Sequence, residues 1–149
     1  ALYYAADRKY NIYKITFLLE NGVNVILDRY VYSNMAHQGG KIADSVERQK
    51  LYTWLETLEF DLLELPHADI KIFLHMPFEQ SAILKQNREE TPDEHEKDAK
   101  HLKSAESSYL ELADKYSFKT IECANNDKIK SIDEIHKELM DYLLDKLKK

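Results

Sequence analysis

Three short apolar segments, separated by long stretches of helical pattern, constrain the fold of this chain most. They run from Val23 to Asp28, from Ile70 to Leu74 and from Phe118 to Cys123. The first is β-branched and almost continuously apolar, which is typical of a strand covered on both faces in a parallel sheet. The last alternates between polar and apolar residues and therefore favours an edge strand. Strands joined by long crossovers predict an α/β fold built on a parallel sheet.

The first helical pattern, from Leu2 to Glu20, has apolar residues on more than one face and ends at Asn21-Gly22. One stripe and the residues that broaden it are Ala6, Tyr10, Tyr13 and Phe17, with Ala5, Ile12, Ile15 and Leu19. Such a helix packs either in a central core or on both the core and a partner subunit. The pattern alone favours neither arrangement.

Capping-box spacing marks the starts of later helices, at Asp44 with Glu47 and at Ser131 with Glu134. Another helix start is predicted at 91–94. The helix after Asp44 is predicted to have apolar residues at Val46, Leu51, Trp54, Leu55, Leu58 and Leu62.

The composition limits the class of protein. A chain of 149 residues with 44% hydrophobic residues is long enough for one domain, spanning 1–149, with a core of its own. A net charge of −6 argues against nucleic acid or a membrane surface as the main partner. No apolar run approaches the roughly 20 residues of a membrane span. The single cysteine, Cys123, cannot form an internal disulfide, so a reducing cytoplasm is the expected location.

Candidate site residues appear where the first predicted strand ends, at Asp28 and Arg29. An open α/β sheet places its ligands at the carboxyl ends of its strands. The Arg29 guanidinium can clamp a phosphate there, or it can form a structural ion pair with Asp28. The residues alone favour neither reading.

A second candidate pair lies in the first helical pattern. Tyr4 and Arg8 stand four residues apart, so they share one face of that helix. They can present a ring and a guanidinium to one planar ligand, although an arginine lying over an aromatic neighbour is the commoner arrangement.

Further polar side chains follow Arg29 in what is predicted to be a loop leading into a helix: Ser33, Asn34, His37 and Gln38. Side-chain amides in such a loop can read the edge of a base. By itself, however, a Ser-Asn pair in a loop usually serves only the turn.

The chain contains no recognisable phosphate-binding loop. Such a loop needs G-x-x-x-x-G-K-[ST], but Met35 and Ile42 occupy the outer positions around Gly39-Gly40-Lys41. The polar run from about residue 86 to 100, which includes Arg88, predicts either a solvated face or a mobile lid, and charge alone favours the solvated face. Its acidic and histidine residues at 93–98 lie at helix-face spacing, so no metal site is predicted there.

Three of these motifs together resemble the thymidylate kinase family in their order and approximate spacing. They are Tyr4-Ala5-Ala6-Asp7-Arg8, Asp28-Arg29-Tyr30 and the 93–98 run. The resemblance covers nearly the whole chain. It implies a three-layer P-loop-kinase-like parallel sheet with helices on both faces, and it implies that the first strand and the donor-phosphate loop of that family are missing from these 149 residues.

The resemblance also implies an activity: transfer of the γ-phosphoryl group of ATP to thymidine monophosphate (dTMP) with Mg²⁺, giving dTDP and ADP. Members of that family form homodimers through the first helix, so the resemblance also implies a homodimer. Without the donor-phosphate loop, this chain alone is expected to be inactive. Two alternatives stay open: a non-catalytic nucleotide-binding module, and a nucleoside monophosphate kinase with another base preference.

Roles for single residues follow from the same resemblance. It implies that Arg29 grips the acceptor phosphate, that Tyr4 stacks on thymine and that Arg8 hydrogen-bonds the edge of the base. It implies that Asn34 pairs with the base, and that Ser33, His37 and Gln38 line the acceptor site. Position 37 is commonly tyrosine or phenylalanine in the family, so His37 departs from the pattern. Arg88, within the lid, is implied to stabilise charge on the migrating phosphoryl group, and Asp28 to organise Mg²⁺ or Arg29.

Overall fold

The structure is a computed structural model, and it describes residues 1–86, 99–125 and 128–148. Its helices are α1 (Leu2–Glu20), α2 (Val31–Gly39), α3 (Ser45–Glu56), which continues as a π-helix (Thr57–Leu62), α4 (Phe78–Gln86), α5 (Ala99–Lys115) and α6 (Ile132–Leu147). Its strands are β1 (Ile72–His75), β2 (Lys119–Glu122), β3 (Ala124–Asn125) and β4 (Lys128–Ile129).

The parallel pairing of β1 with β2 confirms two of the predicted strands and the mixed α/β class. Their register runs from Ile72 opposite Lys119 to His75 opposite Glu122. The two strands are connected through α4 and α5, as a parallel pair requires. A short antiparallel ribbon of β3 and β4 follows β2.

The strand predicted from Val23 to Asp28 is absent, so that prediction was wrong. The Val23 N–H donates to the Leu18 carbonyl at 3.0 Å, which completes the end of α1. The side chain of Ile26 is 89% exposed. A β-branched sequence becomes a strand only when a neighbouring strand takes its backbone hydrogen bonds. No strand within the described residues pairs with this segment.

The core lies around α2, which packs on α3 and α5. Its buried residues include Val31, Tyr32, Met35, Ala36, Tyr52, Leu55, Phe60, Leu65 and Leu112. Helices α2 and α3 approach closely at Gly39, where an added Cβ would meet the Tyr52 hydroxyl at 2.5 Å. Because α2 is anchored on both sides, the polar side chains that it carries are held at defined positions.

Helix α1 has one inner and one outer face. Ala5 is buried and Ile12 packs against the core. Tyr10, Tyr13 and Phe17 lie on the outside, with exposed fractions of 80%, 61% and 64%. The helix ends as predicted, and Gly22 has a φ of +74°, a conformation that glycine adopts without strain.

The π-helix changes the face that the chain presents after α3. The Leu63 N–H donates to the Leu58 carbonyl, five residues earlier, at 3.0 Å, which is the π-type spacing. As a result Glu59 and Phe60 are buried, while Leu62 is 70% exposed. The prediction that Leu62 continues the apolar stripe of a regular helix was therefore wrong.

His75 joins the carboxyl ends of both long strands to α5. Its Nδ1 lies 2.7 Å from a carboxylate oxygen of Glu122, and its Nε2 lies 2.9 Å from Glu106. Burial lowers the pKa of His75, but the hydrogen bonds and charges of the two glutamates outweigh it, so the pKa is raised. Glu106 also accepts from the Phe78 N–H at 3.3 Å, which connects this network to the start of α4.

Candidate functional site

Two of the predicted site residues, Arg8 of α1 and Asn34 of α2, meet on a carboxylate that sequence reasoning missed. Arg8 donates from Nε and Nη2 to the two oxygens of Glu59, each at 2.6 Å. Asn34 donates from Nδ2 to Glu59 Oε1 at 3.2 Å. We call Arg8, Asn34 and Glu59 the Glu59 cluster. It joins three separate elements of the fold through one carboxylate.

The Glu59 cluster is mostly buried, and Arg8 is its most exposed member. The side chain of Glu59 is 0% exposed and that of Arg8 is 17% exposed. Asn34 is buried, and its Oδ1 accepts no hydrogen bond from any residue that the structure describes. A buried carbonyl oxygen without a donor is costly. The cluster therefore retains an unused acceptor next to a partly accessible guanidinium.

Two tyrosines stand four residues before members of the cluster, Tyr4 before Arg8 and Tyr30 before Asn34. Tyr4 lies one turn before Arg8 and is 62% exposed, so its ring is available to a ligand. Tyr30 donates from its hydroxyl to the Pro66 carbonyl at 3.0 Å. Burial raises the pKa of Tyr30 to about 12, while the charge of Arg8 lowers it and that of Glu59 raises it.

Arg29 and Asp28 are exposed and immediately precede α2. Arg29 has a φ of +70°, a left-handed conformation that is uncommon for a residue with a side chain. The alternative of an Arg29–Asp28 ion pair is not realised among the described residues. Arg29 thus stands beside the start of α2, which no side chain caps within the described residues and where a helix attracts anions.

Ser33, Asn34, His37 and Gln38 all lie within α2, so the prediction that they occupy a loop was wrong. The run from Val31 to Gly39 forms a helix because its apolar residues bury against α3 and α5. Ser33 Oγ lies 2.6 Å from the Tyr109 hydroxyl, and the His37 ring stacks on His101 with centroids 5.6 Å apart. These two side chains therefore contact α5. Gln38 Oε1 lies 3.5 Å from the ammonium group of Lys41.

Arg88 and most of the predicted lid, residues 87–98, lie outside the described residues. So do the acidic and histidine residues at 93–98. In the described ranges no group of three His, Cys, Asp or Glu side chains is placed to hold a metal ion. None of the helices in those ranges is long and apolar enough to cross a membrane.

A family model for thymidylate kinase matches residues 1–138. The chain belongs to the thymidylate kinase family. This confirms the resemblance that Tyr4, Arg8 and Arg29 indicated.

Individual relatives in the thymidylate kinase family are moderately similar. A probable thymidylate kinase of Methanocaldococcus jannaschii is 32% identical over 143 residues, which cover 96% of this chain and 65% of that protein. Thymidylate kinase of Mycobacterium tuberculosis is 30% identical over 76% of this chain and 55% of its own length. Thymidylate kinase of Staphylococcus epidermidis is 30% identical over 95% of this chain and 68% of its own length. The chain thus spans between about half and two thirds of these relatives.

Glu59 could have been found from one local signal. It stands between Leu58 and Phe60 in a helical pattern that continues into an apolar region. A carboxylate in such a position needs a cationic or hydrogen-bonding partner. The sequence offers several basic residues, however, and does not say which of them reaches Glu59.

Proposed function

We propose that the protein is a thymidylate kinase, which transfers the γ-phosphoryl group of ATP to dTMP and yields dTDP and ADP. The observation that carries this proposal is the Glu59 cluster in a chain of the thymidylate kinase family. Arg8 supplies hydrogen-bond donors and Asn34 supplies a buried acceptor that has no donor among the described residues. The edge of thymine, with O4 as acceptor and N3–H as donor, matches that pair.

The acceptor nucleotide would be held at three points. Tyr4 stacks on the base from one helical turn before Arg8, while Arg8 and Asn34 of the Glu59 cluster hydrogen-bond the base edge. Arg29 and the first N–H groups of α2 bind the phosphate, because both favour an anion at that place. The exposure of Arg29 supports this role. Ser33, His37 and Gln38 extend the acceptor site along α2.

Phosphoryl transfer needs positioning and charge neutralisation rather than covalent help from the protein. Arg29 orients the acceptor phosphate for attack. Arg88, on the lid around 86–100, stabilises negative charge on the migrating group. Mg²⁺ prefers one or two carboxylates together with water and phosphate oxygens, and the exposed Asp28 carboxylate fits that preference. Asp28 would hold the ion there, and Mg²⁺ would supply positive charge against the phosphates of ATP.

The donor side of the site requires more than these 149 residues. The chain contains no G-x-x-x-x-G-K-[ST] loop, whose lysine and backbone amides would stabilise the donor phosphates. We therefore expect the chain alone to bind dTMP and to catalyse poorly.

We also propose a three-layer parallel sheet with helices on both faces, in which further strands pair with β1. In the described residues β1 pairs only with β2, and the segment 23–27 lies largely exposed beside no partner strand.

The outer face of α1 supports a homodimer. Tyr10, Tyr13 and Phe17 are exposed together, and a shallow groove of about 540 Å³ is lined by Tyr13, Lys14, Phe17 and Leu18. Contiguous apolar side chains on a surface mark an interaction site. Phe17→Glu should shift the protein from dimer to monomer in sedimentation velocity.

The net charge of −6 favours small-molecule substrates over nucleic acid or a membrane surface. We also propose a cytoplasmic location for the protein.

The function is tested on the protein expressed from its complete coding sequence. With ATP and Mg²⁺, dTMP should be phosphorylated in a coupled assay that detects ADP. Arg29→Ala should lower kcat/KM by about a hundredfold or more, because it removes a charge-assisted contact to the phosphate. Lys41→Ala, which removes an exposed cation just after α2, serves as the matched control. Absence of dTMP phosphorylation by the unaltered protein would contradict the proposal.

A nucleoside monophosphate kinase with another preference is the second candidate, because His37 stands where the family commonly has tyrosine or phenylalanine, a position that the resemblance ties to the sugar and the deoxy preference. Titration calorimetry with the monophosphates of thymidine, deoxyuridine and deoxyguanosine separates the two. Tightest binding of deoxyguanosine monophosphate would favour the second candidate. Binding without any phosphoryl transfer would instead favour a non-catalytic nucleotide-binding module.

A further inference from the structure

We propose that Glu59 is a positioning residue that sets the hydrogen-bonding polarity of the base site, and this inference rests on the proposed function. Glu59 is a fully buried carboxylate that receives three hydrogen bonds from Arg8 and Asn34. Through these bonds it determines which atoms of the two side chains remain for a base. It does not touch the base itself.

The first step of the argument concerns the amide of Asn34. A carboxylate can only accept hydrogen bonds, so the amide end that faces Glu59 must be Nδ2. The second Nδ2 proton is directed at another acceptor, the Ala1 carbonyl at 3.4 Å. Both acceptors therefore select the same orientation of the amide. Asn34 Oδ1 is left as the unused atom, and no donor within the described residues satisfies it.

The second step concerns the guanidinium of Arg8. Its Nε and one proton of Nη2 are taken by the two oxygens of Glu59, in the fork-to-fork arrangement that fixes the plane of the group. Nη1 donates to no residue in the part of the chain that the structure describes. The site therefore offers one fixed acceptor, Asn34 Oδ1, and one fixed set of donors on Arg8.

This arrangement discriminates between bases. Thymine and uracil present N3–H as a donor and O4 as an acceptor, which complement the acceptor of Asn34 and the donors of Arg8. Cytosine presents N3 as an acceptor and its exocyclic amino group as a donor. Bound in the same pose, cytosine would face like with like at both positions. Unpaired polar groups in a buried site give strong discrimination.

The test variant is Glu59→Gln, which keeps the shape of the side chain and adds a donor. The glutamine oxygen can still accept from Arg8, while its NH₂ group can donate to Asn34 Oδ1. Asn34 then turns its own NH₂ group toward the base. The matched control is Glu64→Gln, because Glu64 is a nearby glutamate whose side chain is 82% exposed. Glu59→Asp is the conservative variant, since it remains an acceptor only.

The readout is the ratio of the dissociation constants for deoxycytidine monophosphate (dCMP) and dTMP, measured by calorimetry on the protein from its complete coding sequence. Glu59→Gln should lower this ratio by about tenfold or more, whereas Glu59→Asp and Glu64→Gln should leave it near the wild-type value. If Glu59 were only structural, Glu59→Gln would weaken both nucleotides equally. An unchanged ratio would thus overturn the positioning role while leaving the proposed function intact.

A second measurement needs no variant and covers the case in which Glu59→Gln does not fold. In the NMR spectrum of the wild type, the Asn34 side-chain NH₂ resonances should stay nearly unchanged when dTMP binds, because both protons already face Glu59 and Ala1. The N3 imino proton of bound dTMP should be protected from exchange. A large shift of the Asn34 NH₂ resonances would overturn the positioning role. Failure of the wild type to bind or phosphorylate dTMP would overturn the proposed function and, with it, this inference.

Discussion

Two carboxylate centres in this protein are built alike and yet respond differently to pH. Glu59 accepts from Arg8, whereas Glu106 and Glu122 accept from His75. An arginine keeps its charge throughout the accessible pH range, but a histidine loses its charge near neutral pH. The Arg8–Glu59 pair therefore stays charged as part of the candidate site. His75 with Glu106 and Glu122, here called the titratable clamp, holds the end of the sheet in a way that depends on pH. The basic partner, rather than the carboxylate, decides whether the pH matters.

The largest effect on stability is expected when the Arg8–Glu59 pair is broken. Arg8→Met should leave the fully buried Glu59 carboxylate without its cation, and breaking a buried pair in this way costs about 3–5 kcal/mol of unfolding free energy. Urea denaturation followed by circular dichroism measures the loss. Lys9→Met is the matched control, because the side chains of Lys9 and its ion-pair partner Glu64 are 43% and 82% exposed.

The double variant Arg8→Met/Glu59→Leu sharpens this prediction. It removes the stranded charge, so it should be more stable than Arg8→Met alone. If the single variant were as stable as the wild type, the Arg8–Glu59 pair would not be a stabilising centre and the comparison would fail.

The titratable clamp predicts a stability that depends on pH. The two ring nitrogens of His75 can both donate to glutamates only when the ring is protonated, and the pKa of His75 is raised. Its contribution is therefore fully present below the unfolded-state pKa of about 6.5. It is lost as the pH rises through the higher folded-state value.

His75→Gln should remove most of this pH dependence. At pH 6 it should lower the unfolding free energy by about 1–2 kcal/mol, because it removes hydrogen bonds to charged groups. The difference from the wild type should shrink as the pH is raised to 8.5. The measurement is a set of urea unfolding curves across that range. A difference that grew with pH would contradict the sign of the raised pKa.

The smallest effect on stability is expected at Tyr30, which interacts electrostatically with both Arg8 and Glu59. Tyr30→Phe removes the hydrogen bond to the Pro66 carbonyl and should lower the unfolding free energy by about 1 kcal/mol. Between pH 6 and 8.5 this loss should be constant, because the pKa of Tyr30 is raised to about 12. Thermal unfolding at several pH values measures it. A loss that varied with pH in this range would show that the two centres are coupled.

Local signals in the sequence predicted much of the fold. The Ser131–Glu134 capping box is present at the start of α6, and Asp44 caps α3 by accepting from the Glu47 N–H at 2.9 Å. Caps and parallel-strand patterns depend on residues close together in the chain, so they can be read without a tertiary structure. The family could also be predicted, because Tyr4, Arg8 and Arg29 carry it in a fixed order and spacing.

The failures share one cause. The segment from Val23 to Asp28 has the composition of a buried strand, but strand formation depends on a hydrogen-bonding neighbour that local sequence does not describe. The residues from Ser33 to Gln38 look like a loop by polarity, but α2 forms because its other face buries Val31, Met35 and Ala36. In both cases tertiary contacts overrode the local pattern.

The candidate site likewise combines features that the local sequence determines with features that only tertiary contacts determine. The sequence by itself determined the helix that places Tyr4 and Arg8 on one face, the helix-capping residues, the two strands that pair, and membership of the thymidylate kinase family. Only the tertiary structure decided that Glu59 is buried, since the π-helix rotates it inward to meet Arg8 and Asn34. The physical reason is distance along the chain. Arg8 and Glu59 are 51 residues apart, and only packing of α1, α2 and the π-helix determines which charges desolvate each other.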